Sequence, residues 1–155
     1  DEGGNQTGSV STYYSDYDDS YSVTEYDADS NLVIAHTYND YNGHSALIDW
    51  TEYEYDKARH TRTDRRYSLD GKLENWKVHQ YDDQNNELWS KSYDEDGKLW
   101  WEDTYTYDSL GILTGHTSTY YNSRNNTKTV TEYDGNWNQI SEKEYDANGN
   151  LISSD

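Results

Sequence analysis

Polar residues outnumber apolar ones along the chain, and the apolar ones keep a beat. A tyrosine followed by a small polar residue recurs at Tyr26-Asp27, Tyr41-Asn42, Tyr55-Asp56, Tyr67-Ser68, Tyr81-Asp82, Tyr93-Asp94, Tyr107-Asp108, Tyr121-Asn122, Tyr133-Asp134 and Tyr145-Asp146. Successive tyrosines lie 15, 14, 12, 14, 12, 14, 14, 12 and 12 residues apart. Most copies place an aliphatic six or seven residues later: Leu32, Leu47, Leu73, Leu88, Leu99, Leu113, Ile140 and Leu151, with Thr61 and Thr127 in that slot elsewhere. Self-similarity at a near-fixed period marks a repeat architecture.

The repeat reads as strand, turn, strand. Glycine stands four after the tyrosine at Gly71, Gly97, Gly111 and Gly149, and Asn85 and Asn125 fill the same slot. An aspartate opening and a glycine closing fit a type I turn followed by a left-handed residue, a frequent hairpin connection. Stretches between turns, such as "LENWKVHQY" and "LWWEDTYTY", are rich in the β-branched and aromatic residues that suit a pleated surface. Strand side chains alternate with period two, so gaps of 12 or 14 predict that each tyrosine shares a face with the preceding leucine. Proline is absent, in keeping with many hydrogen-bonded strands. The pattern predicts an all-β fold: a repetitive antiparallel β-meander of about ten strands, twisted or curled into a solenoid-like sheet. It fills residues 13–155 as one domain, and "DEGGNQTGSVST", residues 1–12, reads as a flexible linker.

Composition sharpens this picture. Only 31% of residues are hydrophobic and the net charge is −19, a balance that by itself points to disorder. Eighteen tyrosines and six tryptophans oppose that reading, since each carries large apolar area with a polar tip. With so few aliphatics, a thin sheet of aromatics packed between neighbouring strands fits better than a thick core. Residues 1–56 hold 13 acids and no Lys or Arg. Such a surface repels phosphate backbones and argues against nucleic acid as a partner. No apolar run approaches the ~18 residues of a helical span, so membrane insertion is not expected. Cysteine is absent, which removes disulfides and thiol chemistry.

Candidate chemistry is sparse. Acids abound, but no pair is singled out by spacing as a glycosidase dyad would be. His36, His44, His60, His79 and His116 form no metal-ligand spacing, and neither a phosphate loop nor a nucleophile elbow occurs. The chain reads as non-enzymatic and without a cofactor. Calcium is the one candidate ion: Asp27 with Asp29, and Asp94 with Asp96, stand at alternate positions as at the start of an EF-hand loop, but the terminal glutamate of that loop is missing. Trp50, Trp76, Trp89, Trp100, Trp101 and Trp137 are the ligand-stacking candidates, because flat indoles suit sugar rings and quaternary amines. Trp89 and Trp101 share the parity of their next anchor tyrosine, whereas Trp50, Trp76 and Trp100 oppose it, so both faces carry large aromatics. Packing within a core or assembly is the other reading of these six. The stretch "DKARHTRTDRR" concentrates Lys57, Arg59, Arg62, Arg65 and Arg66. It either pairs with the acidic first third of its own molecule or docks on another copy.

The segments "EYDADSNL", "QYDDQNNEL", "SYDEDGKL", "TYDSLGIL" and "EYDANGNLI" resemble the YD repeat of Rhs-type bacterial surface and secreted proteins, over about residues 20–153. The resemblance implies long antiparallel sheets in extracellular or cell-surface proteins, where the repeats serve as casing, stalk or adhesive surface and are not themselves catalytic. The unit here is shorter than the usual family unit. "YDEDGKLWW" also shares vocabulary with choline- and glucan-binding cell-wall repeats, and the Tyr and Gly-Lys turns with MORN-like repeats. The expected function is a non-enzymatic, extracellular structural or adhesive module that self-associates, contacts surface proteins or contacts polysaccharide. The alternatives are a cell-wall or polysaccharide-binding aromatic domain and a subunit of an extracellular filament.

Overall fold

The computed structural model describes residues 8–14, 20–28, 31–41 and 44–155. Among these the chain forms twelve strands: β1 (Gly8–Tyr14), β2 (Ser20–Asp27), β3 (Leu32–Tyr41), β4 (His44–Asp56), β5 (Thr61–Ser68), β6 (Leu73–Tyr81), β7 (Glu87–Asp94), β8 (Leu99–Tyr107), β9 (Leu113–Asn122), β10 (Thr127–Asp134), β11 (Gln139–Tyr145) and β12 (Leu151–Ser154). They run in sequence order as one antiparallel meander that does not close into a barrel. An anchor tyrosine stands at or near the end of each of β2 to β11. β1 and β12 flank this set, which is why twelve strands form where about ten were expected. Residues 8–12, expected in a linker, belong to β1: Val10, Thr12, Tyr13 and Tyr14 favour a strand, and Gly8 lets the chain pass close to the Tyr26 carbonyl, which an added Cβ would meet at 2.3 Å. The chain divides into two compact units, Asp1–Glu54 with Thr63–Trp76, and Tyr55–Arg62 with Lys77–Asp155.

The aspartate after the tyrosine closes five of the described turns. At Asp94 the main-chain N–H donates to the Lys98 carbonyl at 3.0 Å, and the Gly97 N–H donates to the Asp94 carbonyl at 3.0 Å. The carboxylate Oδ1 accepts from the N–H groups of Asp96 and Lys98. The same arrangement recurs at Asp82, Asp108, Asp134 and Asp146. Where asparagine stands four residues after the aspartate, its side-chain amide also donates to Oδ2, as at Asn31, Asn86, Asn138 and Asn150. These amide bonds hold the carboxyls of Asp82, Asp134 and Asp146 below their ordinary range. Gly71, Gly97, Gly111, Gly149 and Asn85 take the left-handed conformation the turn demands. The β9–β10 connection places four residues between the paired Asn122 and Thr127, so the left-handed residue there is Asn126, not Asn125.

A second irregularity resets the faces. Beyond each such turn the tyrosine pairs with the residue six positions on, as in Tyr26↔Leu32, Tyr93↔Leu99, Tyr107↔Leu113, Tyr133↔Gln139 and Tyr145↔Leu151. One residue is then left over as a bulge: Val33, Trp100, Thr114, Ile140 and Ile152, all exposed. Ile140 is therefore a bulge residue and Gln139 holds the paired slot. Leu47 pairs with Tyr38, not Tyr41, and Ile48 is the extra residue there. A bulge shifts the side-chain alternation by one. Leu113 and Tyr121 consequently fall on opposite faces, against the expectation from even spacing. Call the face of Asp103 the first. Tyr107 and Tyr133 lie on it, while Tyr93, Tyr121 and Tyr145 lie on the second.

Among the described residues no hydrophobic side chain is fully buried. Those that are buried are polar: His79, Ser90, Ser92, Asp103, His116, Ser118 and Thr131. All seven lie in the second unit. Its interior is a layer of hydrogen-bonded and ring-stacked groups on the first face.

Candidate functional site

The densest part of that layer is a ladder across β8, β9 and β10. Tyr105 lies opposite His116, and His116 opposite Tyr133. Direct cross-strand pairs bring rings into contact. The His116 ring stacks on Tyr105 at 4.8 Å and on Tyr133 at 5.2 Å between centroids. Asp103 lies one rung along. Its Oδ1 accepts from His116 Nε2 at 3.0 Å and from Trp101 Nε1 at 2.9 Å. Two donors satisfy a carboxylate that burial would otherwise penalise. His116 Nδ1, Ser90 Oγ and Ser118 Oγ are buried without a hydrogen-bond partner. Ser90 still lies near enough to Glu87 and Tyr105 to favour their ionised forms.

Trp137 caps the ladder. It occupies the turn slot that takes glycine or asparagine elsewhere, with φ 66°. A bulky residue at positive φ is an outlier. Gly135, in the same turn, permits the approach: a Cβ there would meet the Leu113 carbonyl oxygen at 2.3 Å. The indole comes to rest 4.8 Å from the His116 ring and 6.4 Å from Tyr105. It remains 57% exposed. The turn thus holds a half-exposed indole against the ring ladder.

A polar relay adjoins the ladder. Arg62 donates to His79 Nε2 at 3.2 Å, which leaves Nδ1–H to donate to Glu87 at 2.9 Å. Burial is the largest single influence and raises the Glu87 carboxyl, but His79, Ser90 and Lys77 together outweigh it and leave the group below its ordinary range. Burial, then the negative charges of Asp103 and Glu87, push the Tyr105 hydroxyl up to about 12. On the second face a shallow groove of about 430 Å³ is lined by residues including Leu99, Tyr121, Lys98, Lys128, Asn122 and Ala147.

The six tryptophans do not gather on one surface. Trp101 and Trp137 belong to the ladder. Trp89 lies on the second face with the Lys91 ammonium 5.3 Å from its ring centre. Its parity with Trp101 is cancelled by the bulge at Trp100, whose exposed ring meets Trp101 edge-on at 6.1 Å. Trp50, in the first unit, stacks on Tyr67 at 5.4 Å, and Trp76 is half-buried in the same unit. The basic stretch makes contacts within the chain. Arg65 pairs with Glu54 and Arg66 with Asp49, each at 2.7 Å, and Arg59 lies 3.5 Å from Asp56. Lys57 and Arg62 are also engaged. Of the calcium candidates, Asp29 lies outside the described residues. Asp27 and Asp94 are occupied as turn clamps, while Asp96 contributes its main-chain N–H to the clamp at Asp94. Among the described residues no three His, Asp or Glu side chains converge as metal ligands.

The histidine–aspartate ladder was not legible from spacing. His116 and Asp103 are 13 residues apart with no motif between them, and only the register brings them together. The one usable signal was a tryptophan where the turn grammar asks for glycine.

No family model and no curated protein matches the chain. A crystallised protein of unknown function from Bacteroides fragilis NCTC 9343 is similar over 99% of this chain and 94% of its own, with a TM-score of 0.53 and 14% identity. That likeness is one of fold. A DUF3836 family protein from Parabacteroides distasonis ATCC 8503 aligns over 83% of this chain and 93% of its own at a TM-score of 0.23 and 9% identity.

Proposed function

We propose that the chain is a non-enzymatic, extracellular or cell-surface bacterial repeat module of the YD-repeat kind, structural and adhesive, whose second unit contacts carbohydrate through Trp137. The reading rests on the strained indole. A residue at positive φ costs about 1–2 kcal/mol unless it is glycine, and backbone strain of this kind collects at functional positions. Here it holds an exposed aromatic face still above a stacked base of Tyr105, His116 and Tyr133. A fixed aromatic plane suits the apolar face of a sugar ring, because little side-chain freedom is lost on contact. A cell-wall polysaccharide-binding domain is the narrower version of this reading, favoured by the second exposed indole, Trp100.

Titration with purified bacterial cell-wall polysaccharides, followed by tryptophan fluorescence, tests it. Binding is expected for the wild type, with at least a tenfold loss in Trp137→Gly, a substitution that suits the turn. A wild type that binds no polysaccharide in the panel, or a Trp137→Gly protein that binds as well, sinks the reading.

A further inference from the structure

We infer that the groove on the second face binds an acidic sugar, a uronic acid residue whose carboxylate meets Lys98 and Lys128. Three turns of the second unit line it. The β7–β8 turn supplies Lys98, the β9–β10 turn Ser123 and Asn126, and the β11–β12 turn Ala147. Alternate turns of a meander fall at the same end of its sheet, which brings these segments of distant sequence together. The volume, about 430 Å³, lies within the range of small-molecule sites.

Charge selects an anion. The chain carries a net charge of −19, yet two ammonium groups and one carboxylate line this groove. Among the described residues neither of the two lysines pairs with a carboxylate, whereas Lys91 holds Glu102 at 3.0 Å and Lys143 holds Glu132 at 3.5 Å. Lys128 is steadied in place. It lies across from Tyr121 and Tyr145, with its ammonium 5.3 Å from the Tyr145 ring centre. The one acid of the lining, Asp146, is turned into its own hairpin. Its Oδ1 accepts from the N–H groups of Asn148 and Asn150, and its Oδ2 from the Asn150 amide. Both ammonium groups thus keep donors for a ligand carboxylate, and such bonds are among the stronger ones.

The remaining lining suits a sugar better than a bare ion. Leu99, Tyr121 and Ala147 offer apolar surface to a ring, and the amide and hydroxyl groups of Asn122 and Thr127 match its hydroxyls. The surrounding negative charge opposes a densely charged polymer, so the fitting ligand spaces its carboxylates one to a sugar. The site does not use Trp137.

Calorimetry and amide NMR with trigalacturonic acid test the assignment. The wild type is expected to bind, with the amide signals of Ser123, Asn126 and Gly149 shifting. Maltotriose, a neutral sugar of the same length, should bind roughly tenfold more weakly or worse. Lys98→Gln and Lys128→Gln should each weaken trigalacturonic acid binding by roughly tenfold, with unchanged far-ultraviolet circular dichroism. Arg59→Gln removes the same charge from the exposed β4–β5 turn and should bind as the wild type does. Trp137→Gly should also bind as the wild type does, which separates this site from the indole. The proposal is overturned by a wild type that does not bind trigalacturonic acid, by equal binding of maltotriose or inorganic phosphate, by full binding in either lysine variant, or by a matching loss in Arg59→Gln or Trp137→Gly.

Discussion

The tyrosine ladder of the first unit and the histidine ladder of the second obey one cross-strand rule and reach different interiors. Tyr14, Tyr21 and Tyr38 lie opposite one another on β1, β2 and β3, with rings 5.5 and 4.8 Å apart. No side chain described in that unit is fully buried. The second unit replaces the middle rung with His116, ties it to Asp103 and covers it with the Trp137 turn. Ring stacking alone therefore leaves a rung half-wet. A carboxylate held by two donors demands coverage, because an unpaired buried charge is costly. Polar groups are what turn one stretch of this sheet into an interior.

The comparison can be broken most severely at the cover. Gly135→Val should destabilise by roughly 3 kcal/mol, since its branched side chain meets main-chain oxygen that cannot retreat; a urea denaturation midpoint equal to wild type would show that the turn does not seal the ladder. His116→Leu should cost about 2–3 kcal/mol, from three lost ring contacts and a buried carboxylate left with one donor. Tyr21→Leu in the first unit should cost only about 1 kcal/mol. Equal losses would erase the distinction between the ladders.

Alkali sharpens the same contrast with a smaller effect. The Tyr105 hydroxyl is raised from 10.0 to about 12 in the fold. Its stabilising share is complete below the unfolded value and disappears as pH rises from there through the folded one. The urea midpoint should fall over that interval, and Tyr105→Phe should flatten the slope. Trp137→Gly should move stability least, within about 1 kcal/mol. Relief of about 1–2 kcal/mol of backbone strain offsets ring contacts worth about 0.5–1.5 kcal/mol each. A large loss would mean that the indole is chiefly structural.

Much of the architecture was legible because the turn chemistry is local. Asp94, Gly97 and Leu99 lie within six positions and dictate a reversal wherever they recur. The bulges were not legible. They follow from pairing between strands, and a single extra residue at Thr114 or Trp100 overrules period-two counting. Gly8–Thr12 was read as linker because nearby glycines hid the start of a β-prone stretch. The asparagine clamp stands in the sequence at Asn31, Asn86, Asn138 and Asn150, but its meaning depends on the carboxylate Oδ2 it reaches. The interior was hidden most deeply, since serine, histidine and aspartate are ordinarily surface residues, and only register placed Ser90, Asp103, His116 and Ser118 side by side.

The alternation of anchor tyrosines between faces from Tyr93 to Tyr145 restricts how such a gene can lengthen. Duplicating one strand with its turn would rotate everything downstream by half a revolution and send His116-like positions to the wrong side. Duplicating two restores the original orientation. Viable relatives should therefore differ in size by pairs of repeats, about two dozen codons at a time.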